Sequence, residues 1–316
     1  MIADLHNHSH FSDGEISPTK LVELAAAKDL EAVALTDHDT IAGLDEALAA
    51  GRRCKITVIP GIELTLRFKR PEFTGSLHLL LYFSAATLAN DAFRDDLQEL
   101  CTRGRGPALV RARVAAINQH FGPASRQPLL QRNLEVDELD RLGENITRRH
   151  FARVLAEQHQ LESDTVNRII ANQSPAYLPS GLDPAEFTPL RRKYPFLAFL
   201  AHPAAGSFPP PSHYREVLPP WPVVAKLLPE FTAPEPITID GLESEYPGHL
   251  PEHQRLLRRL AQEQGLLLSG GSDGHDRHRR PYGVCGLESE DYTAFTKAFQ
   301  QLANRSIFPA KLPTSL

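Results

Sequence analysis

The chain has 316 residues, 41% hydrophobic and 23% charged, a globular balance with length for one large domain carrying an insertion, or for two domains. The net charge of −5 argues against a general polyanion binder and against tight binding of long nucleic-acid duplexes. No run of roughly 18 apolar residues marks a membrane span, the N-terminus MIADLHNHS lacks the basic and apolar parts of a secretory signal, and three scattered cysteines suit a reducing cytoplasm.

In chain order, Ile2–Leu5 reads as a short strand. Ser17 and Pro18 form an N-cap and first-turn pair, and Leu21, Leu24 and Ala25 give the helix that follows its apolar face. AVALT (Ala32–Thr36) reads as a buried strand, and IAGLDEALAAG as a helix ending at Gly51. ITVIPG (Ile56–Gly61) and LHLLLYF (Leu77–Phe83) are the third and fourth strands. Such alternation predicts a parallel α/β sheet with crossovers, as a barrel or a doubly wound fold.

From about Ala85 to Leu190 the alternation stops, and a helical insertion is expected over residues 85–190 between two barrel segments, 1–84 and 191–316. Val110, Val114, Ile117 and Phe121 share one helical stripe, and a second helix spans Thr147–Gln158 with Phe151, Val154 and Leu155 inward. Residues 101–160 hold ten Arg, no Lys and six acidic residues, so this stretch is cationic while the remainder is acidic. The strand pattern resumes with PFLAFLAHP (Pro195–Pro203). A Pro-rich stretch, Phe208–Pro236, reads as a loop around a short helix. ITIDGLE (Ile237–Glu243) is a strand, Glu252–Gln264 a helix ended by Gly265, LLLSGGSDGH the last strand with its exit, and Asp291–Ala303 a final helix.

The fourteen histidines are the compositional outlier, and their placement is informative. The first strand runs into His6 and His8, which point to the same side if extended. The second ends in Asp37, His38 and Asp39, the third in Glu63, the fifth in His202, and the last in Asp273 and His275; the fourth carries His78. In a parallel barrel the C-terminal strand ends converge on one face. A single buried histidine there is more often a hydrogen-bonded core residue; a whole set converging on one mouth points to metal ligation.

DLHNHSHFSDG, LTDHDTIAG, PGIE, LHLLLYF, AHP and GSDGH, in this order, resemble the successive motifs of the PHP (polymerase and histidinol phosphatase) superfamily, most closely its small bacterial phosphoesterase branch with a helical insertion. The resemblance implies a distorted seven-stranded (β/α) barrel holding two or three divalent metals. His6, His8, Glu63 and Asp273 would hold the first. Glu63 would bridge to a second held by His78 and His202. Asp13, His38 and His275 would form the third site and sit nearest the leaving group as catalytic candidates. This thiolate-free set suits manganese, iron or zinc. Asp37 is expected as an outer carboxylate accepting from a ligating imidazole.

Two ions about 3.5–4 Å apart lower the pKa of a shared water and clamp phosphoryl oxygens, which suits phosphate-ester hydrolysis by a bridging hydroxide. No G-x-S-x-G elbow or Cys–His signature offers a protein nucleophile. Thr147 is the expected N-cap of a helix whose first turn holds Arg148 and His150, a place that favours anions. They resemble the branch's Arg-x-His phosphate contact, with Arg149 where the branch often has Pro. RHRR (Arg277–Arg280) is a second anion candidate. The implied substrate is a small nucleotide-like phosphate such as a nucleoside bisphosphate. The alternatives are a 5′-to-3′ exonuclease acting on short single-stranded RNA and a non-catalytic metal-stabilised module.

Overall fold

The structure is a computed structural model and describes residues 1–71, 73–143, 145–209, 218–232 and 238–305. Seven strands form one sheet in sequence order: β1 (Ala3–Asp4), β2 (Ala32–Leu35), β3 (Thr57–Arg70), β4 (Phe73–Tyr82), β5 (Leu197–Leu200), β6 (Gly241–Glu245) and β7 (Leu267–Gly270). The sheet curls until its ends meet. Leu5 N–H donates to Gly270 O (3.0 Å) and Asp273 N–H to His6 O (2.7 Å), so the seam closes beside the first histidine. Gly271 permits this approach, since a Cβ there would lie 2.3 Å from the His6 nitrogen. The result is the distorted seven-stranded barrel.

Alternate strand residues divide between two cores, as the period of two requires. Ala3, Leu5, Ala32, Ala34, Ile59, Leu80, Tyr82 and Phe199 cluster together with Phe295 of the C-terminal helix. Small residues on β1 and β2 offset large ones on β4 and β5. Val33, Leu35, Ile62, Leu64, Leu79, Leu81 and Leu200 face the covering helices. These are α1 (Pro18–Ala27) and α2 (Leu44–Cys54) between the first three strands, then α10 (Trp221–Thr232), α11 (Pro251–Gln264) and α12 (Ser289–Arg305), numbered after the seven helices of the insertion. Ser17 caps α1 by accepting from Lys20 N–H at 3.1 Å, and Gly265 ends α11 with φ 66°.

Three expectations need correction. First, the sheet is not wholly parallel. β3 and β4 are a long antiparallel hairpin, and β4 is also antiparallel to β5. Their apolar residues continue well beyond the predicted segments, and a hairpin buries both arms without a crossover helix. Second, α2 does not end at Gly51 but runs to Cys54, with left-handed Lys55 (φ 58°) as its cap. Gly51 is there for space: a Cβ would stand 2.6 Å from Val58 of β3. Third, β6 begins at Gly241, and residues 238–240 precede the strand, where the Asp240 carboxylate accepts from Arg191 and from the Ala198 N–H. Ile237 and parts of the 208–236 stretch lie outside the described residues.

Between β4 and β5 come only helices: α3 (Ala85–Leu88), α4 (Asp91–Gly104), α5 (Pro107–Phe121), α6 (Val136–Asp140), α7 (Arg148–Glu157), α8 (Ser163–Ile170) and α9 (Pro184–Lys193). Val110, Val114, Ile117 and Phe121 of α5 pack with Phe151, Val154 and Leu155 of α7 in a separate apolar cluster. Polar contacts bind this segment to the barrel mouth. Arg105 pairs with Asp39 at 2.8 Å, Arg149 pairs with Asp276 at 3.0 Å, and the Asn145 amide donates to His38 O. Among the described residues no helix is long and apolar enough to cross a membrane.

Candidate metal centre

All nine sequence-selected ligand candidates lie at one mouth of the barrel. Glu63 is at their centre and fully buried. Its Oε2 lies 3.3 Å from His6 Nε2, 3.2 Å from His8 Nε2 and 3.0 Å from His38 Nδ1. Its Oε1 lies 2.8 Å from His78 Nδ1 and 3.0 Å from His202 Nε2. The two oxygens thus face different imidazole groups, as a carboxylate shared between two ions must. Asp273 Oδ1 joins the first group, 3.0 Å from His8 Nε2 and 3.5 Å from His6 Nε2. Asp13 Oδ1 stands 3.2 Å from His275 Nε2, and these two with His8 and His38 make a further cluster of potential ligand atoms.

The elements deliver these groups for simple reasons. His6 and His8 leave β1 in extended register, so both rings turn into the mouth. His78 reaches it from within β4, where Thr65 is its cross-strand partner. His202 (φ 33°) and Asp273 (φ 49°) adopt left-handed backbone at the ends of β5 and β7, a conformation costly for non-glycine residues and frequent where function demands it.

The residues fit resident divalent ions on two counts. Ligand atoms at about 2.0–2.2 Å from an ion stand roughly 3–3.5 Å from one another, and the separations above fall in that range apart from the shorter Glu63–His78 one. Further, Glu63 Oε2, Asp273 Oδ1, His38 Nδ1 and His275 Nε2 are buried polar atoms without a hydrogen-bond partner, a costly arrangement that ion coordination would relieve.

The electrostatics agree. Burial opposes the Glu63 charge, but His38, His78 and His6 outweigh it and hold the carboxyl well below its usual range. Burial likewise opposes the Asp13 charge, and His275 and His38 lower its pKa strongly. Burial pushes His275 down to about 4, with His8 adding to the effect, and also lowers His38 and His202. Neutral imidazoles and ionised carboxylates are the ligating forms. His6 is the exception: burial works against its charge, yet Glu243 and Glu63 raise it to about 10.

Above the cluster lies a cavity of about 180 Å³, lined by Asp13, His38, Glu63, His78, His202, Asp273 and His275 and by Arg105, Arg113, Arg148, Arg149 and Arg280. Arg148 opens α7 as expected and lines this cavity. His150 does not; its Nδ1 accepts the Thr147 N–H at 3.0 Å, so that ring caps the helix. Arg280 contacts Asp273 and lies 3.1 Å from the Tyr246 hydroxyl, while Arg277 and His278 do not line the cavity.

Sequence reasoning missed Glu243, Arg105 and Arg113. Asp37 accepts from Ser9 N–H (2.7 Å), Ser9 Oγ (2.6 Å) and Ser12 Oγ (2.6 Å). It thereby braces the turn after His8 and does not accept from a ligating ring. The carboxylate that does so is Glu243, 2.9 Å from His6 Nδ1. Its signal was the acidic strand end GLESE.

A protein from Haemophilus influenzae named as a 5′-3′ exoribonuclease is 48% identical over 66 residues, covering 21% of this chain and 24% of the relative. A 3′,5′-nucleoside bisphosphate phosphatase from Chromobacterium violaceum is 45% identical over 67 residues, again 21% of this chain and 24% of the relative. The matches thus span about a quarter of these relatives' length. The crystal structure of a protein from Bifidobacterium adolescentis described as a metal-dependent phosphoesterase superposes with a TM-score of 0.69 at 25% identity, over 94% of this chain and 96% of the other. The family model for the PHP domain matches residues 4–163, from the strand that carries the first histidines into the helical segment. With half of the chain matched and the barrel closed around the same motifs, this protein belongs to the PHP domain family.

Proposed function

We propose that the chain is a metal-dependent phosphoesterase that hydrolyses a phosphate ester of a small nucleotide-like substrate, a nucleoside bisphosphate being the best fit. The observation that carries this reading is the pairing of two features in one cavity: a floor of imidazoles and carboxylates, and a wall of guanidinium groups. Among the described residues Arg105 and Arg149 have carboxylate partners, whereas Arg113 and Arg148 make no ion pair. Arg113 donates twice to Leu178 O, at 3.0 and 2.7 Å, and burial together with Arg148 and Arg105 lowers it to about 9. Arg148 donates to Asn172 Oδ1 at 2.9 Å and lies over the Tyr177 ring, while its Nη1 is buried without a partner. Facing cations with spare donors call for a dianion, and a second, uncleaved phosphate supplies one.

In this reading His6, His8, Glu63 and Asp273 hold one ion, Glu63, His78 and His202 a second, and Asp13, His38 and His275 a third where it is present. Manganese, iron and zinc all suit the donor set. Bound ions would supply hydroxide at neutral pH and offset phosphoryl charge. The chain's own groups do the rest. Arg148 and Arg113 orient the distal phosphate, and the segment 85–190 acts as a cap that limits water and substrate size. The trio Asp13, His38 and His275 lies nearest the leaving oxygen, with ligation as its resting role because His38 and His275 are neutral there.

A second reading, 5′-to-3′ removal of nucleotides from short RNA, is favoured by the Arg-rich, Lys-free stretch 101–160 and by the Haemophilus relative's name. A screen of nucleoside mono- and bisphosphates, cyclic nucleotides and 5′-phosphorylated short RNAs with added Mn²⁺ separates the two. Release of inorganic phosphate from the bisphosphate supports the first; release of mononucleotides from RNA alone supports the second.

A further inference from the structure

Six of the seven strands lead into at least one of the nine ligand candidates. β6 is the exception, since no candidate lies on it or on its exit. Yet in its C-terminal end and the turn beyond, ESEYPGH (243–249), Glu243, Ser244, Tyr246 and His249 are buried like the ligands. Glu243 and Tyr246 are 0% and 1% exposed. A buried carboxylate is costly unless each oxygen is satisfied, so its partners show what it is for. Glu243 Oε1 lies 2.9 Å from His6 Nδ1, and Oε2 accepts the His202 N–H at 2.7 Å. One side chain therefore reaches a ligand on β1 and the backbone of a ligand on β5.

The same turn reaches the third neighbour. Tyr246 O–H donates to Asp273 Oδ2 at 2.8 Å, while Asp273 Oδ1 is left without a hydrogen-bond partner and faces His6 and His8. His249 completes the set. Its Nδ1 lies 2.9 Å from Ser244 O, and its Nε2 accepts the Ala204 N–H at 3.2 Å, two residues beyond His202. The His202 backbone is left-handed, and it is held by hydrogen bonds on both sides, at its own N–H by Glu243 and at Ala204 by His249.

We propose that β6 is the template strand of the metal centre, with Glu243 and Tyr246 as positioning residues that align ligands from β1, β5 and β7. By accepting the His6 Nδ1 proton, Glu243 selects the tautomer whose Nε2 lone pair points at Glu63, His8 and Asp273. With its second oxygen it keeps His202 on the far side of Glu63. Both ion positions that share Glu63 thus depend on one outer carboxylate. Tyr246 shares Oδ2 of Asp273 with Arg280, which also donates to the Tyr246 hydroxyl, and the pair leaves Oδ1 to face the ion position.

This inference rests on the metal reading above, and its test reads metal binding and not turnover. The wild-type chain, Glu243→Gln and Tyr246→Phe are stripped with chelator and titrated calorimetrically with Mn²⁺. Bound equivalents are counted by elemental analysis, and the fold of each metal-free protein is followed by circular dichroism and thermal melting. A glutamine offers one acceptor oxygen to two N–H donors, so Glu243→Gln is expected to weaken two Mn²⁺ sites, each roughly 10–100-fold. Tyr246→Phe is expected to weaken one site and leave the other. A merely structural role would lower the metal-free melting temperature and leave the Mn²⁺ affinity of the folded variants unchanged; that result overturns the proposal. If Glu243→Gln does not fold, Tyr246→Phe decides, and wild-type Mn²⁺ binding in it is contradictory. A wild-type chain that takes up no Mn²⁺ overturns the metal reading itself, a different result from a wild type that binds and variants that match it.

Discussion

Glu63 is the residue on which most of the site converges. Because its two oxygens face different imidazole groups, Glu63→Gln should reduce metal content by about two equivalents and not one, measured by elemental analysis after purification without chelator. Arg148 tests substrate selection separately. Charge-assisted contacts contribute about 1.5–3 kcal/mol each, so Arg148→Ala should lower kcat/KM for a nucleoside bisphosphate roughly ten- to a hundredfold. Metal content should be unchanged, and p-nitrophenyl phosphate, which lacks the second phosphate, should be affected far less. An equal loss on both substrates would place Arg148 at the reacting phosphoryl group. The histidines also give the metal-free protein a defined pH response. His249 and His275 are both lowered to about 4, chiefly by burial. The unfolded chain therefore binds more protons than the folded one between about 4 and the ordinary value near 6.5. Their contribution is present above about 6.5 and is lost as pH falls through that window. His6, raised to about 10, acts with the opposite sign: its contribution is full below about 6.5 and is lost as pH rises toward 10. Chemical denaturation of the chelated protein should show greatest stability near pH 6.5, with His249→Gln flattening the acid side.

Of the helical elements between β4 and β5, α5 to α8 carry their own apolar cluster, whereas α4 and α9 pack into the barrel core, so the α5–α8 part should be separable in its energetics from the ligand cluster. Phe121→Ala removes a buried ring from it and should cost about 3–5 kcal/mol. Hydrogen exchange should quicken over α5 to α8 with β1 to β3 unaffected, and Mn²⁺ content should remain that of the wild type. Loss of metal in this variant would show that the segment and the barrel act as one unit. Among the elements, the helices were the easiest to read. The stripe of Val110, Val114, Ile117 and Phe121 and the caps at Ser17 and Thr147 are local patterns, and local hydrogen bonding and burial act on them directly. The β3–β4 hairpin was not legible, because an apolar strand buried on both faces reads alike in either direction. Gly51 misled for a related reason: a glycine that ends a helix and one that admits a neighbouring strand are the same letter, and only the approach of Val58 distinguishes them.

At the scale of the whole molecule, the ligand candidates were legible because a barrel gathers distant strands at one mouth, and β1, β2, β5 and β7 each pass from apolar to ligating residues where the strand ends. The supporting shell was not. Glu243 looks like any acidic strand residue until His6 and His202 close on its two oxygens. His150 looked like an anion contact until its ring was found capping its own helix. Arg105 and Arg113 come to the cavity only through the path of the insertion. The central claim is that this mouth is a metal-dependent phosphoesterase site acting on a small nucleotide-like phosphate. It is tested most directly by inorganic phosphate release from a nucleoside 3′,5′-bisphosphate, measured on chelator-stripped protein before and after adding Mn²⁺, with Glu63→Gln in parallel. The account predicts negligible release without metal, release restored by Mn²⁺, and little restoration in the variant. Release that is independent of metal, or restored equally in Glu63→Gln, would contradict it.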